Sequence, residues 1–294
     1  MTTFCKKATS SCLLYTLFFL FGNIFNGIGQ TLELGLLFGA SNYQGDLASS
    51  EWSVITQQSK VAFGGFLRYQ INESFALKAQ LVQTELQADD ANSSFDPLQQ
   101  RNLRFFSPLL DGSLQLEWYP FTANTEYEQR FLPYISVGGS FFSFNPQAEY
   151  QGITYELQPL NTEGQGLPSF PNRQPYQLYS GSGVLGLGVK FLLNEDLTLG
   201  LAISGHYTLT DYLDDVSTTY ADYDELAFAY GLISANISYQ VDDFFDLNQT
   251  TPLPDTPRGN PNLNDWFFIG GITLSYNLVN PNRASSKGIG CPTF

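Results

Sequence analysis

Cysteine is nearly absent from this chain: three in 294 residues, of which Cys5 and Cys12 lie in the first segment. With that segment removed Cys291 stands alone, and no internal disulfide can form even in an oxidising compartment. No cysteine follows the segment at a lipobox-like position, which argues against a lipid-anchored protein. Basic residues are also scarce, with 13 Lys and Arg against 28 Asp and Glu. Residues 1–29 carry Lys6 and Lys7 and no acid; without them 11 bases face 28 acids, a net charge of −17. A phosphate backbone is bound by clustered basic residues, so nucleic acid is excluded as a partner. Long apolar runs are missing beyond the N-terminus, so no helix of roughly 20 residues is available to span a bilayer. Any membrane crossing must use strands. No Pro- or Ser-rich linker divides the chain, and its length suits one compact unit.

The N-terminus reads as a secretory signal over 1–29. Lys6 and Lys7 precede the apolar stretch Leu13–Phe25, and Asn26-Gly27-Ile28-Gly29-Gln30 supplies a small-x-small exit. Residues 30–278 read as a barrel, and 279–294 as a periplasmic tail.

What fills 30–278 is alternation. Over 197–207, Leu197, Leu199, Leu201, Ile203 and Tyr207 share one face, and Thr198, Gly200, Ala202, Ser204 and His206 share the other. A period of two marks a strand with two different environments. Eight such strands are expected: 31–41, 60–72, 74–86, 108–119, 131–144, 180–193, 196–208 and 265–278. The connections at 72–74, 194–196 and 120–130 are short; those at 42–59, 87–107, 145–179 and 209–264 are long. Short and long alternate, as in outer-membrane barrels with tight periplasmic turns and long extracellular loops. On the apolar face Tyr69, Phe75, Trp118, Phe191 and Tyr276 fall near the short-turn end. Phe38, Phe63, Phe141, Tyr207, Trp266 and Phe268 fall near the long-loop end. Leu34, Leu36, Leu67, Leu77, Leu114, Leu116, Leu187, Val189, Leu199, Leu201, Ile272 and Leu274 lie between. Two aromatic girdles around an aliphatic band match the two interfaces of a membrane. A soluble barrel or sandwich would turn the same face inward but gives no reason for aromatics at both ends of it. The expected fold is all-β: an eight-stranded antiparallel up-and-down transmembrane barrel with outer-membrane lipid as its surroundings.

The opposite face carries Glu33, Arg68, Lys78, Asp111, Gln115, Glu117, Lys190 and His206. Side chains fill an eight-stranded barrel, and buried charges are costly unless paired. A salt-bridged plug without a diffusion pore is expected. In the last long loop, Asp222 with Glu225 resembles a capping box. Leu226, Tyr230, Ile233 and Ile237 fall at helical spacing, so 226–240 reads as a helix at the barrel mouth. The β-branched residues and Gly231 keep a strand or hairpin as the alternative.

Two constellations invite chemistry. Ser204 and His206 face the same way, yet a nucleophile and base need a third, orienting group and access to substrate, and both point into the lumen. Filling of the polar interior is the preferred reading, so no catalytic residue is assigned. Asp211, Asp214 and Asp215 crowd the start of the last loop and form a weak candidate for Ca²⁺, without EF-hand spacing. A loop brace, with the acids accepting backbone N–H groups, is the preferred reading. No cofactor is expected. Asn42 to Leu47 suits a turn.

Gly39 to Leu47, Asp211 to Thr218, Arg258-Gly259-Asn260-Pro261 with Asn264 to Phe268, and Cys291-Pro292-Thr293-Phe294 resemble a Bacteroidota outer-membrane barrel family that includes PorG, a component of the type IX secretion system. The resemblance implies a non-enzymatic barrel that holds a periplasmic ring of PorK- and PorN-type proteins. Such a partner would meet the periplasm-facing parts, for which Glu126, Tyr127, Glu128 and Arg130 in 120–130 and Cys291 in the tail are the candidates. The rival expectation is a stand-alone barrel for surface adhesion or envelope stability.

Overall fold

The computed structural model describes residues 31–48, 52–92, 96–121, 131–239 and 254–279. The expected signal segment 1–29, Glu126, Tyr127, Glu128, Arg130 and the expected tail with Cys291 lie outside them. Eight long strands form the wall: β1 (Leu32–Gln44), β2 (Lys60–Gln70), β3 (Phe75–Asp89), β4 (Arg104–Trp118), β5 (Phe131–Phe144), β8 (Tyr179–Leu192), β9 (Leu197–Thr208) and β10 (Trp266–Val279). Each pairs antiparallel with its neighbours in sequence order, and β1 pairs with β10 from Leu32↔Val279 to Gln44↔Trp266, which closes the barrel. Closure leaves no unpaired edge, the condition for sheet to exist in hydrocarbon.

The two tightest turns use one chemistry. Asn72 Oδ1 accepts from the N–H groups of Ser74 and Phe75, both at 2.9 Å. Asn194 Oδ1 accepts from those of Asp196 (2.9 Å) and Leu197 (2.8 Å). An asparagine that bonds the backbone two and three residues on reverses the chain without help from a core.

The expected strands are found, with differences at the long-loop end. β3 and β4 run 15 residues each and pair from Phe75↔Trp118 to Asp89↔Arg104, beyond the expected 74–86 and 108–119. Above the membrane band the outward side chains become Gln83, Glu85, Gln87 and Asp89, so the apolar outward signal stops while the ladder continues. The connection 145–179 contains a small hairpin, β6 (Gln147–Tyr150) and β7 (Ile153–Glu156). It turns at Gln151 and Gly152, both at positive φ. Short helices α1 (Trp52–Gln58) and α2 (Asp96–Arg101) lie in the first two long connections.

The helix expected at 226–240 is two helices, α3 (Tyr223–Tyr230) and α4 (Leu232–Tyr239). Asp222 caps α3 by accepting from the Glu225 N–H at 3.0 Å. The Glu225 side chain does not return the bond; it accepts from Ser169 Oγ at 2.6 Å. The break falls at Gly231, whose φ of +94° no helix can contain.

Outside the wall the apolar residues stand exposed, among them Leu36, Leu114, Leu187, Leu201 and Ile272. The girdles are built from neighbouring strands. At the short-turn end Phe75 pairs with Trp118, and Phe131 meets Phe191 with ring centroids 5.2 Å apart. At the other end Phe38 pairs with Phe63, and Tyr207 lies 4.8 Å from Trp266. Phe131 and Tyr179, not among the expected girdle residues, join these rings, Tyr179 against Phe141 at 5.9 Å. No helix among the described residues is long and apolar enough to cross a membrane; the strands do so.

Candidate functional site

The lumen is filled in layers. Near the short-turn end, Glu33, Arg68, Lys78, Glu117 and Lys190 are brought together from five strands, all buried. Arg68 Nη1 donates to Glu33 Oε2 at 2.7 Å, and its Nε and Nη2 donate to Glu117 at 2.7 and 3.1 Å. Lys190 Nζ donates to the other oxygen of Glu33 at 2.5 Å, and Lys78 Nζ lies 3.7 Å from Glu117 Oε1. Tyr119 donates to Glu117 Oε2 at 2.5 Å. One guanidinium thus bridges two carboxylates, using the fork geometry that only arginine has.

Asp111 and His206 belong to a separate layer nearer the mouth. His206 Nδ1 is 3.6 Å from Asp111 Oδ1, and His206 Nε2 is 3.1 Å from Ser204 Oγ. Sequence reasoning missed Asp111 as the third member, because cross-strand register brings it there and spacing in the chain does not. The three stand in the order of a nucleophile, base and acid, but the gap from His206 to Asp111 is longer than a hydrogen bond, and there is no room for a substrate. The void beside Ser204, lined also by Gln80, Gln115 and Ser136, is about 10 Å³, room for about one water. On the mouth side the Phe267 ring stacks on the imidazole at 4.3 Å, and Phe142 packs against Phe267 at 5.4 Å. The arrangement braces the interior.

That aromatic pair begins an apolar plug the polar-lumen reading did not include. Leu37, Val82, Leu86, Leu109, Phe105, Phe144 and Ile269 are buried with it, and the same core continues upward to Leu47, Leu213 and Val216 of the loops. Arg68 closes one end of the barrel and this plug the other.

Above the plug the four long connections are tied into one cap by buried charge. Glu163, unsuspected from the sequence, takes the N–H groups of Ser217 (2.9 Å) and Thr218 (3.1 Å), the Thr218 hydroxyl (2.6 Å) and Arg258 Nη1 (3.2 Å). Arg258 also donates to the Asp215 carbonyl at 2.6 Å. Arg101 grips both oxygens of Asp90 (2.7 and 2.9 Å) and reaches the carbonyls of Asp46 (2.7 Å) and Arg258 (2.6 Å).

The acidic run disperses into this cap. Asp214 accepts from the Val216 N–H at 2.9 Å, and Asp215 accepts from Thr162 and from Tyr176 at 2.6 Å. Asp211 is likewise buried, and no metal-binding group of three ligands occurs among the described residues. Asp214 instead meets Asp265 across Tyr43, whose hydroxyl is 2.7 Å from Asp214 Oδ2 and 2.8 Å from Asp265 Oδ1. A phenol has one proton and donates to one carboxylate at a time; protonation of the other turns the second contact into a hydrogen bond as well. Burial, joined by the charge of Asp265 and Asp46, holds Asp214 far above the ordinary carboxylate range. Burial likewise pushes Asp265 up to about 7. Gly45 makes the approach feasible, since a Cβ there would fall 1.9 Å from Asp265 Oδ1. The segments 39–47, 211–218, 258–261 and 264–268, far apart in the chain, meet here.

A closed barrel with an exposed apolar band between two aromatic girdles is stable only in a bilayer, and this one is an integral protein of the outer membrane. Residues 11–162, just over half of the chain, match the family described as a domain of unknown function (DUF6089), and the chain belongs to that family. No curated protein matches it in sequence. Among solved structures it is similar to the N-terminal β-barrel domain of Pseudomonas aeruginosa OprF, with 12% identity, a TM-score of 0.34 and coverage of 85% of this chain and 99% of that one. It is also similar to Ail, the attachment invasion locus protein of Yersinia pestis (8% identity, TM-score 0.39, 86% and 100% covered). A third is Neisserial surface protein A (8% identity, TM-score 0.38, 85% and 97% covered).

Proposed function

We propose that this DUF6089 barrel is a passive, non-enzymatic anchor, and that its role is to hold an assembly at the outer membrane. The observation that carries this reading is the double seal: an ion cluster fills one end of the lumen, and an aromatic plug continuous with a tied cap fills the other. A barrel so filled conducts nothing, and its buried Ser204–His206–Asp111 relay has no substrate space. The work then falls to its ends.

The resemblance of the converging mouth segments to the PorG-containing family favours a type IX secretion machine, with a periplasmic ring of PorK- and PorN-type proteins as the assembly held. The test is affinity purification of the full chain from native outer membranes, with and without residues 279–294, read by mass spectrometry. Recovery of the ring proteins with the intact chain is expected; their absence from both preparations overturns this reading. A second reading, a stand-alone surface barrel, draws support from the cap, which ties all four outer connections into one ordered body. Deletion of the gene would then leave secretion normal and alter surface binding or envelope integrity.

A further inference from the structure

On the outward wall above the membrane band lies a cleft of about 220 Å³ where the extracellular ends of β3 and β4 meet α1 and the β6–β7 hairpin. Its polar lining is amide-rich: Gln57, Gln87 and Asn92, with Asp89, Arg104 and the ring of Phe106. Gln83 pairs with Phe63 of the upper girdle. Gln87 and Asp89 stand four and six residues farther on, roughly 13–20 Å along the strand at its usual rise. The cleft is therefore clear of lipid and open to the outside. Its frame is held by the protein itself: Gln58 Nε2 donates to the Asp89 carbonyl (3.2 Å), Gln87 Nε2 to the Gln57 carbonyl (3.4 Å), and the Ala91 N–H to Asp89 Oδ1 (2.9 Å). Asp89 Oδ2, the Asn92 amide and most of the Arg104 guanidinium have no hydrogen-bond partner among the described residues; Arg104 makes one long contact, 3.5 Å, to the Glu149 carbonyl.

We propose that this cleft binds a neutral saccharide. Carboxamides offer a donor and an acceptor side by side, the pattern that matches adjacent sugar hydroxyls, and a carboxylate and a guanidinium extend it in both senses. An aromatic face covers the C–H face of a pyranose. Charge selects against anionic ligands: Asp89 and Glu149 outnumber Arg104 in the lining, within a chain of net charge −15. The volume lies below the roughly 300–1,000 Å³ of pockets for drug-sized ligands and suits a single ring. This goes beyond the anchor reading, since the cleft is on the outward wall, away from any periplasmic surface, and it would give the surface reading a ligand class.

Saturation-transfer NMR on the full chain in lauryldimethylamine oxide, a detergent without a sugar headgroup, tests it with glucose, galactose, mannose and N-acetylglucosamine, and with glucuronate as the charged comparator. At least one neutral sugar should bind in the millimolar range, at least tenfold more tightly than glucuronate. The pair Gln87→Ala and Asn92→Ala should weaken it tenfold or more while the folded, unboiled electrophoretic mobility is kept. If that pair loses the folded mobility, Arg104→Met at an exposed position carries the same expectation. Absence of binding by all four neutral sugars, binding untouched by the variants, or preference for glucuronate overturns the proposal.

Discussion

Near the short-turn end of the lumen, Glu33 and Glu117 are shared among Arg68, Lys78 and Lys190. In the cap at the opposite end, Asp46, Asp90, Glu163, Asp211, Asp214, Asp215 and Asp265 lie among the long connections, and only Asp90, Glu163 and Asp215 pair with an arginine, Arg101 or Arg258. At its short-turn end the lumen answers buried acid with cations. The cap answers most of it with N–H groups, hydroxyls and protons. The difference follows from surroundings: bilayer encloses the lumen wall, whereas the cap faces water at its rim and can exchange protons there. Ion pairing makes the lumen network an all-or-none brace, and proton sharing makes the cap a brace whose strength depends on pH.

The harshest way to break the comparison is Arg68→Met. It removes the three charge-assisted hydrogen bonds by which one guanidinium joins Glu33 to Glu117, a loss of about 3–5 kcal/mol, and leaves each acid with one lysine, Lys190 for Glu33 and Lys78 for Glu117. The expected outcome is a marked fall in the temperature at which the folded band converts to the unfolded one on electrophoresis. Adding Glu33→Gln and Glu117→Gln should lower it further, since Lys78 and Lys190 would then be buried without a carboxylate. A single variant as robust as the wild type would mean that the lumen is held by its packing alone.

In the cap the matching variant is Glu163→Ala, which strips acceptors from two N–H groups, a hydroxyl and Arg258. A loss of about 3 kcal/mol is expected there. Because the cap sits on a barrel with its own ladder and ion cluster, the loss should appear as faster hydrogen exchange over 209–239 and new proteolytic cleavage near Arg173. The conversion temperature of the barrel should stay in place. A variant that lowers both together would show that cap and barrel open as one unit.

A smaller effect separates the two kinds of brace. Asp214 and Asp265 have folded-state pKa values raised above the ordinary carboxylate value, Asp265 to about 7. The native cap therefore binds protons more tightly than the unfolded loop. Its extra stability is fully present below about pH 4 and is lost as pH rises through about 7. Exchange over 209–239, corrected for the intrinsic rate, should quicken between pH 5 and pH 8. Asp214→Asn, which keeps an uncharged group beside Tyr43, should flatten that dependence. An unchanged slope would mean that Tyr43 does not mediate proton sharing.

How much of this was legible in the sequence follows the same division. Strands such as 197–208 show two faces to two environments, so alternation marks both wall and lumen, and Arg68, Glu33 and Lys190 could be placed inside before any register was known. Their pairing could not, because it depends on which rungs of β1, β2 and β8 oppose. The apolar plug was also in view, in the inward phase of Phe142, Phe267 and Ile269, but the rule that small barrels have polar interiors hid it. In the cap the one readable signal was local, Asp222 before α3. Glu163 and Arg258 meet across 95 residues of irregular chain, where no period exists to carry the information. Gly231 was visible, yet its meaning as a corner depends on a backbone angle that the residue type permits without requiring.

Gly231 also supplies the finest test of how rigid the cap is. Its backbone lies at φ +94° and ψ 162°, in the region reserved for glycine. An added Cβ would meet nothing within 4 Å, so Gly231→Ala removes no contact and creates no clash. Whatever it costs is backbone strain, about 1–3 kcal/mol if the corner is held in place. The surroundings say that it is held: α3 buries Leu226 and α4 buries Ala235 and Tyr239 against the same loop core. Ser238 on α4 is also tied to the Thr162 carbonyl at 2.6 Å. An alanine there should raise exchange at the amides of α3 and α4 without touching β9 or β10. If the variant costs nothing, the two helices have re-joined through the corner, and the cap is a softer body than the lumen beneath it. If it costs the full strain, the cap is as firmly built as the lumen, and pH alone sets the two apart.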